Sequence, residues 1–542
     1  MRFIKNNIKF LIAMILVITL GIFGITYALK IATFNPIALN TTAGTINANI
    51  TYDSTNTSTV TSTGNMLPIS DTLVTGVDVT DSRILKIKFM VSGVSSNPSN
   101  TIYDIALRDI NMSSALKSKY VKWRLYKNGT LLSEGNFSPS FDTIENNRLV
   151  LTNTQQDLTT STDTYVYLMW ISEACTGNLS TCDITKNQDK LLGKTFNAQI
   201  KLEASTKSKK SLTRTVVPAN SASNKITNMF TPDTLVENNS IKYRYDTTNN
   251  LMEDIDGNIR YYGAEPNNYI YFNCDDYSNQ TSSTCETWRI IGVFEGKVKI
   301  MRGSQIGTYS WDNKNASTGA ETAYGKNDWT TARLMKLLNP SDYYEVDSND
   351  NGNGQSLYWN SQSGTCFAGQ NNATKACDFT STGLKNDVTR NMISESMWYL
   401  RGSSLDHSDE AYEYERTKGS VYEGRPTSWK GKIALAYPSD YGYAADLSQC
   451  TKNLNNYDDS TCTSNNWMKN IIIISSYNNW GWLLTPIWVS ADGAWYVGPP
   501  GDVNNYLYVY DAFGVAPVLH LGSVLEIKAG DGSSSTPYQL SA

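Results

Sequence analysis

Tyr120-Val-Lys-Trp-Arg-Leu-Tyr126 alternates apolar and polar residues, runs through Lys127-Asn128-Gly129-Thr130, and resumes at Leu131-Leu132. Side chains of a strand point alternately to opposite faces, so this spacing predicts a half-buried β-strand. Asn-Gly between two such runs predicts a tight hairpin, because a two-residue type I′ turn needs positive φ at both central positions. Working outward, Arg83 to Val91 (RILKIKFMV), Thr164 to Ile171 (TYVYLMWI) and Phe196 to Leu202 (FNAQIKL) read as further strands. No helix-period stretch of useful length separates them. Many short strands with polar turns predict an antiparallel β-sandwich over residues 31–205.

Composition changes at residues 206–225, where Lys207, Lys209, Lys210 and Arg214 sit among Ser, Thr, Pro and Asn. This reads as a solvated basic linker, with contact to anionic wall polymers or lipid as the rival. Residues 226–542 read as one α+β domain. Strands are expected at Trp288 to Phe294, Val298 to Arg302, Lys432 to Tyr437, Asn470 to Ser475 and Val515 to Leu521. Helices are expected at Trp329 to Leu338 and Asn386 to Leu400, with Asp328 and Asp387 as first-turn acids and Gly402 as a stop. The expected fold class is therefore β-rich and multidomain, a sandwich followed by an α+β domain.

At the start of the chain, Arg2, Lys5 and Lys9 precede an uncharged apolar run, Phe10 to Ala28. Residues 1–30 thus read as a signal peptide or signal anchor, with everything beyond exported. The run approaches the length that spans a bilayer. It also ends in Thr26-Tyr27-Ala28, a small-x-small pattern open to cleavage after Ala28. Residues 10–28 hold the chain to the cytoplasmic membrane if they are kept. A net charge of −5 with no long basic tract argues against a nucleic-acid partner. Charged residues are 18% of the chain, and hydroxyls and amides supply much of the remaining polarity.

Eight cysteines fall in four couples: Cys175 and Cys182, Cys274 and Cys285, Cys366 and Cys377, Cys450 and Cys462. Eight cysteines allow 105 pairings, but only neighbour pairing closes four short loops without long-range coincidence. Each such loop contributes roughly 2.5–3 kcal/mol through the unfolded chain. The spacers are too long and polar for zinc. Four disulfides imply an oxidising, extracellular setting.

The stretch Gly257 to Cys274 (GNIRYYGAEPNNYIYFNC), with Trp288-Arg-Ile-Ile-Gly-Val-Phe294, resembles a repeated surface-protein module of Firmicutes. Gly431 to Leu435, Tyr437-Pro-Ser-Asp-Tyr-Gly-Tyr443, Trp482-Leu-Leu-Thr-Pro486, Gly514-Val-Ala-Pro-Val-Leu519 and Gly530-Asp-Gly-Ser…Pro537-Tyr538 fit the same pattern. The last strands are similar to the tail of C-type-lectin-like folds, including those near formylglycine-generating enzymes. The resemblance implies a lectin-like domain over 226–542, without an assigned activity. Where the family commonly has Arg, this chain has Ala516, so any contact made by that Arg is missing. Gly24-Ile-Thr-Tyr-Ala-Leu29 and the Thr/Asn-rich region after it resemble camelysin and matrix-fibre proteins in layout.

Two histidines offer little to catalysis. His407, in Leu405-Asp-His-Ser-Asp409, has triad residue types in adjacent positions that cannot assemble a triad, and His520 lies in an apolar strand. No catalytic residue is assigned. Asp347-Ser-Asn349-Asp350-Asn351-Gly352 matches the opening of a calcium loop, with Asp347, Asn349 and Asn351 as ligands, but the twelfth position is Tyr358 instead of a bidentate Glu. Calcium is the one cofactor considered. Among the aromatics, Trp480, Trp482, Trp488 and Trp495 read as core. Tyr506, Tyr508 and Tyr510 recur at period two, with Asp502 and Asn504 upstream, and read as a platform for a sugar or peptide.

The expectation is an exported, cell-surface adhesin or binding module with a carbohydrate or protein ligand outside the cell. Its rivals are a matrix or pilus-like structural protein and a wall- or glycan-active enzyme.

Overall fold

The computed structural model describes residues 39–41, 48–52, 68–173, 196–206 and 217–541. Within these spans it leaves out 96, 98–100, 114–115, 140, 142–143, 145–146, 347, 351, 403–406, 474–479 and 506. The apolar run 10–28 lies outside the described residues. Among those described, no helix is long and apolar enough to cross a membrane. The chain is β-rich, built of several mostly antiparallel sheets, and divides into two compact units, 1–217 and 218–542.

The described residues of the first unit contain ten strands: β1 (Leu39–Thr41), β2 (Ala48–Tyr52), β3 (Leu85–Gly93), β4 (Thr101–Met112), β5 (Val121–Lys127), β6 (Thr130–Asn136), β7 (Leu149–Val150), β8 (Gln156–Asp157), β9 (Asp163–Ile171) and β10 (Phe196–Thr206). They form two five-stranded sheets in a sandwich-like arrangement. One runs β1-β10-β4-β7 with β8 also on β4, and the other runs β2-β3-β9-β5-β6. The Asn-Gly hairpin forms as its sequence requires, with Asn128 at φ 50° and Gly129 at φ 83°, pairing Lys127 with Thr130. Strand β3 buries every second residue, Leu85, Ile87, Phe89 and Val91, in a core shared with Trp123, Tyr167 and Ile200. Strand β9 is apolar on both faces for a reason: Val166, Leu168 and Trp170 form a second cluster with Ile69, Val74 and Ile84. One pairing departs from the antiparallel expectation, since β1 lies parallel to β10.

The second unit begins before residue 226. Helix Ala222–Met229, capped by Ser221, belongs to it, so the segment read as linker ends earlier than expected. A ten-stranded sheet carries the strands Glu286–Phe294, Lys297–Arg302 and Val518–Leu521 side by side, and a five-stranded sheet is centred on Gly481–Pro486. Among the described residues its helices are short, at most eight residues. Three expectations need correction. The helix beginning at Asp387 stops at Met392, because Ile393 and Ser394 pair with Leu521 and His520. Lys469–Ile472 is a helical turn where the expected strand begins, and residues 474–475 of that strand lie outside the described residues. In Lys432 to Tyr437 only Ile433–Ala434 is strand, since Tyr437 caps the next helix.

Three disulfides stand among the described residues, against the four expected. Cys274–Cys285, Cys366–Cys377 and Cys450–Cys462 are joined in the expected neighbour pairing. The fourth expected bridge, between Cys175 and Cys182, falls on residues outside those described. The covalent loops shown therefore all belong to the second unit.

Candidate functional site

A turn with two exposed apolar residues at its tip is pinned at its base by one amide. Ile487 donates to the Gly493 carbonyl at 2.9 Å. The Asn327 side chain donates to the carbonyls of Ile487, Ser490 and Gly493 at 2.7–3.0 Å, and its backbone N–H reaches Ala491. Arg425 grips Glu321 with two hydrogen bonds of 2.8 Å and also bonds Asn327 and Ala491. The turn therefore holds its shape around Trp488, which is 44% exposed, and Val489, which is 64% exposed.

The base of this turn meets the tyrosines. Gly493 bridges to Tyr508, and Val509 donates to the Asp492 carbonyl. Thr322 and Ser490 donate their hydroxyls to Asp492, which ties the 321–327 loop to the turn. Tyr324 is delivered from that loop and stacks on Tyr508 with centroids 4.3 Å apart and rings 16° from parallel. Tyr510 packs beside both, at 5.6 Å from Tyr508 and 5.7 Å from Tyr324, and accepts a hydrogen bond from Gln370. Tyr324 and Tyr508 are each about two-fifths exposed. Burial pushes the Asp511 carboxyl and the Tyr510 hydroxyl up. The result is an aromatic face edged by Asp492, Thr322 and Gln370. Ring faces of this kind pack on C–H surfaces, and an amide beside them can bond hydroxyls.

Of the residues singled out in sequence, Tyr508 and Tyr510 are brought together, and Tyr506 lies outside the described residues. Tyr508 and Tyr510 do not lie on one continuous strand, because Asp511 donates back to the Tyr508 carbonyl in a turn. Asp502 and Asn504 sit in a different hairpin, where Asn504 donates to Asp502 and Gly498 donates to the Asp502 carbonyl. Among the described residues they share no hydrogen bond with Tyr508 or Tyr510. Trp482 and Trp495 are core as expected, but Trp488 is not.

The calcium-loop residues Asp347 and Asn351 lie outside the described residues, as does the side chain of Asn349. Asp350, between them, is buried and turned inward, accepting from Arg333 at 2.9 Å and Lys336 at 2.8 Å. Burial alone would raise its carboxyl, yet those two cations hold it low. Among the described residues no group of three or more His, Cys, Asp or Glu is spaced to hold a metal. His407 caps helix Ser408–Glu413, and Asp409 accepts from Asn239, so these two residues are spent on local structure, while Leu405 and Asp406 lie outside the described residues. His520 is buried against Trp398 and Phe294, and desolvation keeps it neutral.

Sequence reading missed Tyr324 and a buried charge network built around Lys299 and Arg260 of the large sheet. There Lys299 and Arg260 share Asp440, Arg260 also bonds Asp254 at 2.6 Å, and Arg416 pairs with Glu415. Burial pushes Lys299 down to about 8 and raises Glu415. Pro438 at the first helical turn with Asp440 behind it was a readable helix-start signal for part of this network. Comparison with protein families, curated proteins and solved structures finds no match for the chain.

Proposed function

We propose that the protein is an exported binding module whose second unit takes a carbohydrate ligand on the Tyr324–Tyr508–Tyr510 face. The single observation carrying this reading is that two stacked tyrosine rings and a tryptophan stand exposed on a framework fixed by Asn327 and Arg425. Large apolar groups held open to solvent cost solubility and mark interaction sites. Three disulfides closing short loops are consistent with an oxidising compartment outside the cytosol. A surface adhesin fits these features and the leader-like segment 1–30.

A glycan array probed with the full exported chain tests the reading. Tyr324→Ala and Tyr508→Ala are expected to keep the melting temperature and weaken the strongest glycan signal by about tenfold, the scale of one lost ring contact. No glycan signal, or a signal untouched by both variants, would sink it.

A further inference from the structure

A cleft of about 900 Å³ opens beside residues 342–346 and Ser348. Lys314 and Lys336 line it although both side chains are more than nine-tenths buried, and Lys326 stands half-buried alongside. Behind this wall five charged residues share the interior: Asp312, Lys314, Arg333, Lys336 and Asp350. Lys336 and Arg333 both bond Asp350, while Lys314 lies 3.5 Å from Asp312 and donates to the Thr331 carbonyl at 2.6 Å. Three cations face two carboxylates. The group carries one unmatched positive charge among the described residues, and a buried unmatched charge is costly until an anion meets it.

Donors remain to meet one. An ammonium has three N–H groups, and Lys336 spends one on Asp350 while Lys314 is directed to Thr331 and Asp312. Lys326 is offset by Asp328 at 3.6 Å. Asp312 keeps one carboxylate oxygen and Arg333 one guanidinium nitrogen without a partner among the described residues. Burial also pushes the Asp312 carboxyl up. The rim is of the opposite sign: Asp342 and Glu345 line the cleft from exposed positions. Such a rim accepts hydroxyl groups and repels a closely charged chain.

We propose that this cleft binds an acidic saccharide, its single carboxylate or phosphate seated against Lys314 and Lys336 and its hydroxyls on Asp342 and Glu345. This goes beyond the tyrosine face, whose residues do not line the cleft.

Calorimetry with the full chain tests it against four probes: a glucuronate-terminated oligosaccharide, the same oligosaccharide ending in phosphate, the neutral parent, and triglutamate. One or both acidic sugars are expected to bind at least about tenfold more tightly than the neutral parent and triglutamate, with affinity falling as salt rises. The stronger of the two identifies the anion. Lys336→Met removes a buried donor and Lys326→Glu reverses the charge standing alongside it; each is expected to weaken the acidic sugar by about tenfold or more. If Lys336→Met fails to fold, Lys326→Glu decides. Equal binding of the neutral parent or of triglutamate, no binding of either acidic sugar, or wild-type affinity in a folded variant overturns the proposal. Wild-type affinity in Tyr508→Ala separates this cleft from the tyrosine face.

Discussion

Lys299 donates to the Asp440 carboxylate in the interior of the second unit, joining residues 141 apart in sequence. Arg260 takes the other Asp440 oxygen at 3.0 Å, and the Tyr437 N–H also donates to Asp440 at 3.0 Å. Breaking a buried pair from one side strands the other charge and costs about 3–5 kcal/mol. The two sides are unequal here. Lys299→Met leaves Asp440 held by Arg260 and Tyr437, whereas Asp440→Ala strands Lys299, frees part of Arg260 and uncaps helix Pro438–Tyr443. Urea unfolding is expected to show the larger midpoint shift for Asp440→Ala; equal shifts would deny the pairing.

Stability is expected to fall with acid in two stages. His520 is held neutral by burial, with Lys299, Lys297 and Arg416 adding repulsion and Asp440 opposing it. Its folded value lies below the usual 6.5, so the unfolded chain binds the extra proton and stability drops as pH falls through about 6.5. Asp440, Asp350 and Glu203 are opposed by burial but lowered by their cations, so their contribution holds above about pH 4 and is lost below it. His520→Phe keeps a ring against Trp398 and is expected to flatten the upper stage alone. Melting temperatures from pH 7 to 3 check this, and an unchanged upper stage in the variant counts against it.

The six cysteines of the second unit are paired, so thiol labelling of the native chain without reductant is expected to leave them unmodified. Cys366→Ser with Cys377→Ser opens an 11-residue separation and is expected to cost about 3 kcal/mol. Guanidinium unfolding of the double variant measures it. Labelling of these thiols in the folded wild type would contradict the pairing.

Local chemistry was the legible part of this chain. Asn128-Gly129 dictates its own hairpin, and neighbouring cysteines close their own loops, because the partners are close in sequence. Where long-range contacts decide, pattern fails. Val388, Met392, Ser396 and Tyr399 have helical spacing, but Ile393 is claimed by Leu521 across the sheet and the helix ends. The tyrosine platform shows the same limit. Tyr508 and Tyr510 could be picked out together, yet the ring that stacks on Tyr508 comes from Tyr324, brought there by a loop that Asp492 and Asn327 fasten to a distant turn. Lys299, Asp440 and Arg260 sit on three separate segments, and no spacing rule joins them.

Gly325 is the residue on which that delivery turns. It adopts φ +103°, a region L side chains rarely enter, and a Cβ there would collide with the Asp312 carbonyl and the Val509 side chain. Both neighbours are fixed, since Asp312 N–H donates to the Val509 carbonyl at 3.0 Å. Gly129 offers the contrast: its φ is +83°, but an added Cβ meets nothing within 4 Å. Gly129→Ala is therefore expected to cost about 1 kcal/mol of conformational strain. Gly325→Ala adds overpacking of about 1–3 kcal/mol and moves Tyr324 off Tyr508. Paired denaturation and glycan-binding measurements separate the two: Gly129→Ala should retain binding at a slightly lower midpoint, and Gly325→Ala should lose binding at a midpoint lower still. Full glycan binding in a folded Gly325→Ala chain would show that the Tyr324–Tyr508 stack does not form the ligand face.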